Sequence, residues 1–304
     1  MAGAARINVE VEGRTLSLSN LEKVLYPVPG FTKGEVIDYY TRIAPVLLPH
    51  LHNRAATRVR FPNGVDGASF FEKNAPTHTP DWVRTVMLPA PGSTKDRDEI
   101  RYIVVDDLPT LVWLANLAAL ELHVHQWTLT VLDGGAAGDA DRLVLDLDPG
   151  PPAGLAQCAQ VALWLRAELA DLGPVVKTSG SKGLQLYVGL APTPVARVHT
   201  FARDLAVRME QAHAGLIVHR MDKKLRIGKV LIDWSQNAGA KTTVAPYSLR
   251  AREQPTVSTP VDWDEVAAAA EGAPLSFTAP QVLDRVAEWG DLFATLFDAN
   301  RTLP

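Results

Sequence analysis

The stretch RLVLDLDPG at residues 142–150 constrains the fold more than any other part of the chain. It is apolar enough to be a β-strand, and the side chains of a strand alternate between its two faces. One face carries Leu143, Leu145 and Leu147. The other face carries Val144, Asp146 and Asp148. The stretch is therefore predicted to be an apolar strand that runs into a Pro-Gly turn and carries two carboxylates at its end.

Two carboxylates on one face lie roughly 7 Å apart at Cα, for a rise of about 3.3 Å per residue. They repel each other unless they are solvated, protonated or bridged by a cation. A divalent ion is the usual bridge, because hard cations prefer oxygen ligands. A solvated pair at a strand end is the alternative, and this stretch alone leaves both open.

A second apolar strand with an acid follows in KVLIDWSQN, residues 229–237. A charge on a buried strand costs several kcal/mol without a partner, so Asp233 needs a cation or hydrogen bonds. If Asp233 joined Asp146 and Asp148, the three acids would suit two divalent ions roughly 3.5–4 Å apart, as in polymerases and nucleases. The alternative is that Asp233 caps a turn or pairs with Arg226 or Lys229.

Charge and composition exclude several classes of protein. The 304 residues are 47% hydrophobic and contain one cysteine, so a Cys-rich zinc site and an intrachain disulfide are excluded. We find no apolar run long enough to span a membrane and no apolar signal-peptide core, so a cytoplasmic protein without a membrane partner is expected. The net charge of −4 argues mildly against a nucleic-acid binder. However, residues 219–229 hold five Lys or Arg and one Asp, and such a stripe either binds phosphates or is a solvated loop.

A glycine-rich loop follows the first acidic strand, in KTSGSKG at residues 177–183. Its backbone N–H groups are able to turn toward an anion, although it lacks the Walker spacing and precedes a strand instead of a helix. A flexible hairpin turn is the alternative. Two further pairs are ambiguous. His123 and His125 are either metal ligands or a buried and a solvated histidine, and Phe70 and Phe71 either stack on bases or belong to the core.

Helix and strand patterns alternate along the chain. Thr32 and Glu35 have the spacing of a capping box, which predicts a helix that Pro45 breaks or restarts. Residues 121–132 are predicted as one strand, residues 153–172 as a helix, and residues 262–271 and 279–298 as two closing helices. This interleaving predicts an α/β or α+β fold around a mixed sheet.

The order of these motifs resembles the polymerase domain of bacterial ligase D, in the archaeo-eukaryotic primase superfamily, whose close relatives include stand-alone actinobacterial primase-polymerases. The resemblance extends from about residue 15 to about residue 300. It is most specific in LDLDPG (145–150), TSGSKG (178–183), VLIDWSQN (230–237) and APYSLR (245–250). It implies one primase-like catalytic domain over residues 1–304, with mixed β-sheets flanked by helices. Within it the resemblance implies a DNA-end-binding portion over about 1–105, a catalytic sheet over about 106–250 and C-terminal helices over about 251–304.

The resemblance also implies roles for individual residues. Two divalent ions, manganese or magnesium, would be held by Asp146, Asp148 and Asp233. The nucleotide would be bound by Phe71, His123, Ser179, Lys182, Gln185, Gln236 and Arg250. A 5′-phosphate at a DNA gap or broken end would be bound by Asn20, Lys23 and Lys33. Template DNA would be contacted by Arg60, Phe70 and Arg226.

The implied activity is template-dependent filling of short gaps at DNA breaks with a preference for ribonucleotides. Nucleoside triphosphates are the implied substrates, Ku and a ligase the implied partners, and the nucleoid the implied location.

This chain departs from the family at Gln185, where relatives carry a histidine after the glycine loop, and at Val59, where they often carry a lysine. Glutamine forms hydrogen bonds but does not titrate near neutral pH. If the histidine binds phosphate or moves a proton, activity should fall, and the protein is a DNA-end or 5′-phosphate binding module with weak or lost catalysis. If the histidine only orients a group, glutamine suffices. A metal-dependent nuclease with the same acids is a third hypothesis, against which the glycine loop and Arg250 argue.

Overall fold

The computed structural model describes residues 6–90, 98–130, 136–298 and 300–304. The end of the strand predicted over residues 121–132 lies outside these ranges. The strands are β1 (Arg6–Val11), β2 (Arg14–Ser19), β3 (Val24–Tyr26), β4 (Phe31–Thr32), β5 (Ala55–Arg60), β6 (Phe70–Glu72), β7 (Thr85–Pro89), β8 (Glu99–Val104), β9 (Ala119–Val124), β10 (Trp127–Leu129), β11 (Ala137–Pro149), β12 (Val175–Thr178), β13 (Leu184–Thr193), β14 (Ile217–Val218), β15 (Val230–Asp233), β16 (Thr243–Val244) and β17 (Pro260–Val261). The helices are α1 (Lys33–Leu51), α2 (Leu108–Asn116), α3 (Leu155–Glu168), α4 (Val195–Ala212), α5 (Trp263–Ala270) and α6 (Ala279–Trp289).

Helix α1 begins at the predicted capping box. The Thr32 hydroxyl accepts a hydrogen bond from the Glu35 N–H, and the Glu35 carboxylate accepts one from the Thr32 N–H. The predicted break at Pro45 is wrong, because the helix continues to Leu51. A proline inside a helix costs about 3 kcal/mol. After Pro45 in the helix, Leu47 and Leu51 are fully buried. Burial of such side chains is worth about 1.5–3 kcal/mol each, which offsets that cost.

The first large sheet has the order β16-β9-β5-β8-β7, with β6 paired to the end of β5. All of its pairings are antiparallel. Helices α1 and α2 bury their apolar side chains in one core with β5 and β9. The second large sheet has the order β14-β15-β11-β13-β12-β17, with β10 paired to β11. Its pairings are antiparallel except that of β14 with β15.

The prediction of two different faces for the acidic strand is confirmed. On one side of β11 the three leucines pack in a core with α3 and α4. On the other side Val144 packs with Tyr187, Phe293 and Leu296. The mixed α/β class, with sheets flanked by helices, is likewise confirmed.

The single strand predicted over residues 121–132 is wrong. The chain leaves the first sheet at the end of β9 and enters the second sheet as β10, because the two segments pair with different partners. His125 lies between them, buried, with its Nδ1 3.0 Å from the Ala55 carbonyl oxygen. His125 is therefore the buried member of the histidine pair.

The helices predicted over residues 153–172 and 279–298 are shorter than expected. Helix α3 ends at Glu168 and is followed by a 3₁₀ turn, and α6 ends at Trp289, where Gly290 takes a positive φ of 69°. Asp291 then anchors the C-terminal segment. Its carboxylate lies 2.9 Å from His50 Nε2 of α1 and accepts a hydrogen bond of 2.7 Å from the Tyr247 hydroxyl. None of the described helices combines the length and the apolar character needed to cross a membrane.

Candidate active site

Three carboxylates converge where β11 and β15 end. In this antiparallel pair Asp146 lies opposite Asp233, and Asp148 follows two residues later on the same face. One carboxylate oxygen of each acid lies within 4.8 Å of the other two. In the described part of the chain, this is the one cluster of His, Cys, Asp or Glu side chains close enough to share a metal ion.

The electrostatics of the three acids favour a cation. Burial and the nearby Asp148 carboxylate raise the pKa of Asp146 to about 7. Loss of solvent and the charge of Asp233 raise the pKa of Asp148. A divalent ion relieves such repulsion, and carboxylate oxygens are ligands that hard cations prefer. The donor set therefore fits divalent metal binding.

Asp233 is also the cap of a 3₁₀ turn over Trp234–Asn237. Its carboxylate accepts hydrogen bonds from the Ser235 hydroxyl at 2.6 Å and from Gln236 Nε2 at 2.8 Å. Arg226 instead donates to the Met221 carbonyl oxygen, and Lys229 to the Ala214 carbonyl oxygen. Capping and convergence with the other acids thus occur together at Asp233.

A row of polar side chains crosses the second sheet from the acids. The register pairs Asp233 with Asp146, Asp146 with Gln185, and Gln185 with Lys177, on β15, β11, β13 and β12. Directly opposed residues share a face, so all four side chains lie on the same side of the sheet. Gln185 and Lys177 are buried, and the Lys177 ammonium donates to Gln185 Oε1. Gln185 therefore lies on the same face of the sheet as the acids.

The glycine loop between β12 and β13 differs from the expected anion cradle. The Ser179 hydroxyl oxygen accepts hydrogen bonds from the N–H groups of Ser181 and Gly183, which therefore point into the loop. Lys182 is exposed. Gly183 is required because a Cβ there would lie 2.0 Å from the Leu147 carbonyl oxygen. The loop thus lies directly against the acidic strand.

Glu121 is a central residue of the site to which the sequence interpretation assigned no role. Its carboxylate lies 2.9 Å from His123 Nε2, 3.0 Å from Arg250 Nε and 3.0 Å from the Ala251 backbone nitrogen. Arg250 also donates to the Ser179 carbonyl oxygen at 2.6 Å. Glu121 and Arg250 therefore connect the first sheet to the glycine loop of the second.

Burial acts to raise the pKa of Glu121, but the hydrogen bond from His123 and the charge of Arg250 outweigh it and lower this pKa to about 2. The carboxylate is therefore ionised at neutral pH. The sequence signal was the spacing of two between Glu121 and His123, which places both side chains on one face of β9.

Phe70 and Phe71 lie on β6 at the edge of the first sheet, with 49% and 55% of their surfaces exposed. The alternative that they belong to the core is wrong. They point to opposite faces, because Phe71 pairs with Val59 and Phe70 pairs with Arg60. The Phe71 ring lies 6.3 Å from that of His123. On the other face Arg60 lies 3.1 Å from the Glu72 carboxylate.

The three residues assigned to a 5′-phosphate lie together at the start of α1. The Lys23 N–H donates to the Asn20 carbonyl oxygen, and the Lys33 N–H donates to the Lys23 carbonyl oxygen. Lys23 is exposed and its ammonium donates to Asn63 Oδ1, whereas Lys33 is buried. Burial and the charge of Lys23 lower the pKa of Lys33 to about 8.

The basic stripe lies against the end of the acidic strand. Gly150 donates to the Lys229 carbonyl oxygen and accepts from the Gly228 N–H. A Cβ at Gly150 would lie 1.9 Å from the Arg226 carbonyl oxygen, so only glycine fits. The charge of Arg226 opposes the rise in the pKa of Asp148. Arg226 and the acids therefore belong to one surface.

The chain matches known proteins over almost its whole length. The family model for the primase-polymerase domain of LigD matches residues 32–293. The multifunctional non-homologous end joining DNA repair protein LigD of Mycobacterium tuberculosis strain H37Rv is 44% identical over 288 residues, which cover 92% of this chain and 37% of that protein. The bifunctional non-homologous end joining protein LigD of Bacillus subtilis is 34% identical, over 90% of this chain and 43% of that protein.

The same likeness holds in three dimensions. The polymerase domain of Mycobacterium tuberculosis ligase D in complex with DNA superposes with a TM-score of 0.88 and 42% identity, covering 94% of this chain and 99% of that one. The chain spans less than half the length of these curated relatives, so it corresponds to one part of them. On sequence and structure alike, the chain belongs to the LigD primase-polymerase domain family.

Proposed function

We propose that the protein is a template-dependent nucleotidyltransferase that fills short gaps at DNA breaks, with a preference for ribonucleotides. The observation that carries this proposal is the convergence of Asp146, Asp148 and Asp233 within 4.8 Å, beside the loop to which Arg250 is bound. Membership of the LigD primase-polymerase family supports the reaction class. The ribonucleotide preference comes from the family resemblance.

The three acids would hold two divalent ions, manganese or magnesium. Bound there, the ions supply charge neutralisation of the triphosphate and activation of the primer 3′-hydroxyl. Asp146, Asp148 and Asp233 keep one carboxylate oxygen each within 4.8 Å of the other two, close enough to ligate the same ions. Gln236 holds the Asp233 carboxylate in place through its 2.8 Å hydrogen bond.

The nucleotide would bind between the two sheets. Arg250 and the exposed Lys182 supply positive charge for the triphosphate. Ser179 shapes the loop that carries Lys182, and its carbonyl oxygen accepts a hydrogen bond from Arg250. His123 lies beside Arg250 through their shared partner Glu121. The exposed ring of Phe71, next to His123, offers a stacking surface for the nascent base pair.

DNA would extend over two surfaces. Asn20, Lys23 and Lys33 would bind the 5′-phosphate across the gap, where two ammonium groups reside close together. Arg226 in the basic stripe, with Arg60 and Phe70, would contact the template strand. The Mycobacterium tuberculosis domain is described in complex with DNA, which supports a DNA partner here. Nucleoid association, Ku and a ligase as partners are proposed from the end-joining names of the relatives.

The second candidate is a DNA-end or 5′-phosphate binding module with weak or lost catalysis, which Gln185 motivates. The structure favours the enzyme, because Gln185 takes part in the polar row beside Asp146 and accepts a hydrogen bond from Lys177. An amide both donates and accepts, so it is able to connect an ammonium with a carboxylate. A titratable side chain is not needed for that connection.

The test is extension of a 5′-phosphorylated, gapped duplex with manganese, comparing ribonucleotides with deoxynucleotides. Wild type, Asp146→Ala and Gln185→His are measured side by side, and a duplex without nucleotides tests for nuclease activity. We expect extension by wild type and none by Asp146→Ala. Extension that survives Asp146→Ala would contradict the mechanism. No extension by wild type with recovery in Gln185→His would support the end-binding module, and cleavage without nucleotides would support a nuclease.

A further inference from the structure

Lys177 is a lysine with no exposed surface, at the end of the polar row that begins at the acids. Its ammonium donates hydrogen bonds to Gln185 Oε1 and to the Ser258 hydroxyl. The Tyr187 ring also lies 5.6 Å from the ammonium nitrogen. A buried lysine is costly unless its charge is compensated, so its presence here calls for a role.

The ammonium determines which way the Gln185 amide points. The hydrogen bond runs from Lys177 Nζ to Gln185 Oε1, so the amide oxygen, and not the amide nitrogen, faces the lysine. The Tyr187 hydroxyl donates to the same oxygen at 3.5 Å. The amide N–H groups are thereby left for the other neighbour of Gln185, which is Asp146 on β11.

Asp146 responds to both side chains of this row. Burial and Asp148 raise its pKa, whereas hydrogen bonding by Gln185 and the charge of Lys177 act in the opposite direction. An amide turned the other way would place an oxygen against the carboxylate and repel it. The orientation of Gln185 therefore matters for holding the Asp146 carboxylate in position to bind a cation.

We propose that Lys177 is a positioning residue for the metal site, because its ammonium orients the Gln185 amide so that an N–H group faces the Asp146 carboxylate. The inference rests on the proposed function in taking the three acids as the metal ligands. It also explains how glutamine replaces the family histidine. Either side chain presents an acceptor to Lys177 and an N–H to Asp146.

The test measures direct binding of Mn²⁺ to the full chain at pH 7.5 without nucleotide or DNA. The EPR signal of free Mn²⁺ is the readout. We expect Lys177→Met to bind Mn²⁺ at least about tenfold more weakly than wild type, the usual range for loss of a partner that orients a metal ligand. The direction of the change in Mn²⁺ affinity is informative. Removing a positive charge near a cation would by itself tighten binding, so weaker binding points to lost orientation.

Ser258→Ala is the matched control, because it removes the other partner of Lys177 and leaves the contact with Gln185 intact. We expect its Mn²⁺ affinity to stay within about twofold of wild type, well below the tenfold loss that a ligand-orienting partner causes. Thermal unfolding of each variant shows whether it is folded. Equal or tighter Mn²⁺ binding by folded Lys177→Met overturns the inference, as does a tenfold loss in Ser258→Ala.

A second comparison does not depend on the folding of Lys177→Met. Gln185→Leu removes the amide, and the double variant Lys177→Met with Gln185→Leu replaces the buried polar pair by apolar side chains, a change that buried pairs often tolerate. If Lys177 acts through Gln185, the double variant binds Mn²⁺ no more weakly than Gln185→Leu. A further tenfold loss in the double variant overturns the inference. Absence of Mn²⁺ binding by wild type would overturn the metal site of the proposed function, and this inference with it.

Discussion

Asp146 and Asp233 face each other directly across the antiparallel pair of β11 and β15, where opposed side chains have their Cβ atoms about 4.5–5.5 Å apart. Like charges in such a pair destabilise a sheet. The metal-free protein is destabilised in this way at a site whose three acids span 87 residues of the sequence but are neighbours in the structure. The cost is expected to disappear when a cation binds.

The first prediction is that Asp146→Asn stabilises the metal-free protein at pH 8. The folded protein raises the pKa of Asp146 to about 7 from its ordinary 3.8, so the folded state holds a proton that the unfolded state releases. The stability that protonated Asp146 contributes to wild type is therefore complete below about pH 4 and is lost as the pH rises through 7. One pKa unit corresponds to about 1.4 kcal/mol, so the gain in the free energy of unfolding at pH 8 is on the order of a few kcal/mol.

Denaturant unfolding in EDTA at pH 4 and pH 8 measures this effect. The two proteins should have similar stability at pH 4 and differ at pH 8. Adding Mn²⁺ at pH 8 should stabilise wild type much more than the variant. A less stable Asp146→Asn at pH 8 in EDTA would contradict the repulsion between the acids.

The second prediction concerns the 5′-phosphate and Lys33. Its pKa of about 8 means that the free protein loses this positive charge as the pH rises above 8. Preference for a 5′-phosphorylated gap over a 5′-hydroxyl gap should therefore fall between pH 8 and pH 9.5, by up to about tenfold per pH unit. Fluorescence anisotropy with the two duplexes measures the ratio. Lys33→Met should remove both the preference and its pH dependence, and a preference constant to pH 9.5 would exclude Lys33 from the pocket.

The third prediction is that Glu121→Gln raises the KM for nucleotide more than it lowers kcat. The neutral amide cannot hold both Arg250 and His123 as the carboxylate does, and charge-assisted hydrogen bonds are roughly twice as strong as neutral ones. We expect an increase in KM of about tenfold, equivalent to about 1.4 kcal/mol. Glu265→Gln is the control, since Glu265 pairs with Arg285 between α5 and α6. An equal change in both variants would indicate a general loss of stability.

The fourth prediction separates histidine from glutamine at position 185. Glutamine does not titrate, whereas a histidine between Lys177 and Asp146 loses its acceptor for the ammonium when it is protonated. The extension rate of Gln185→His relative to wild type should therefore fall as the pH decreases from 8 to 5.5. Both rates are measured at saturating Mn²⁺ across this range. A ratio that stays constant would mean that position 185 does not face the ammonium during the reaction.

The fifth prediction is that Gly150→Ala disrupts the contact between the acidic strand and the basic stripe. The added methyl would lie 1.9 Å from the Arg226 carbonyl oxygen, so the backbone must move. Template affinity should fall at least about fivefold, in the range expected for about 1 kcal/mol. Gly154→Ala is the control, because its Cβ has only the Gln157 side chain near it, at 3.9 Å. Similar losses in both variants would argue against this contact.

The sequence was most informative where the pattern is local. The faces of β11 followed from strand alternation, and the start of α1 followed from the capping box, because neighbouring residues alone determine both. The break at Pro45 was wrong because burial of distant residues compensates for a local cost. The strand over 121–132 was misjudged because only its partners, β5 and β11, show that two sheets share it.

In the candidate site, too, local patterns were predicted and contacts between distant residues were missed. The three acids were predicted from their strands, and the cluster in the structure agrees with that prediction. The role of Glu121 was missed because one of its partners, Arg250, lies 129 residues away. The burial of Lys177 was missed for a similar reason, since Ser258 is 81 residues further along the chain. The assigned roles in binding nucleotide and DNA remain predictions.

The pair formed by Glu121 and Arg250 also has a consequence for how the chain folds. Closing a loop of 129 residues costs conformational entropy before any contact repays it, so this part of the molecule is expected to form late. During synthesis, β11 emerges long before β15, which completes its pairing beside Asp146. A nascent chain therefore exposes two unpartnered carboxylates and an open strand edge until β15 has been made, and unpaired strand edges of this kind are prone to aggregation.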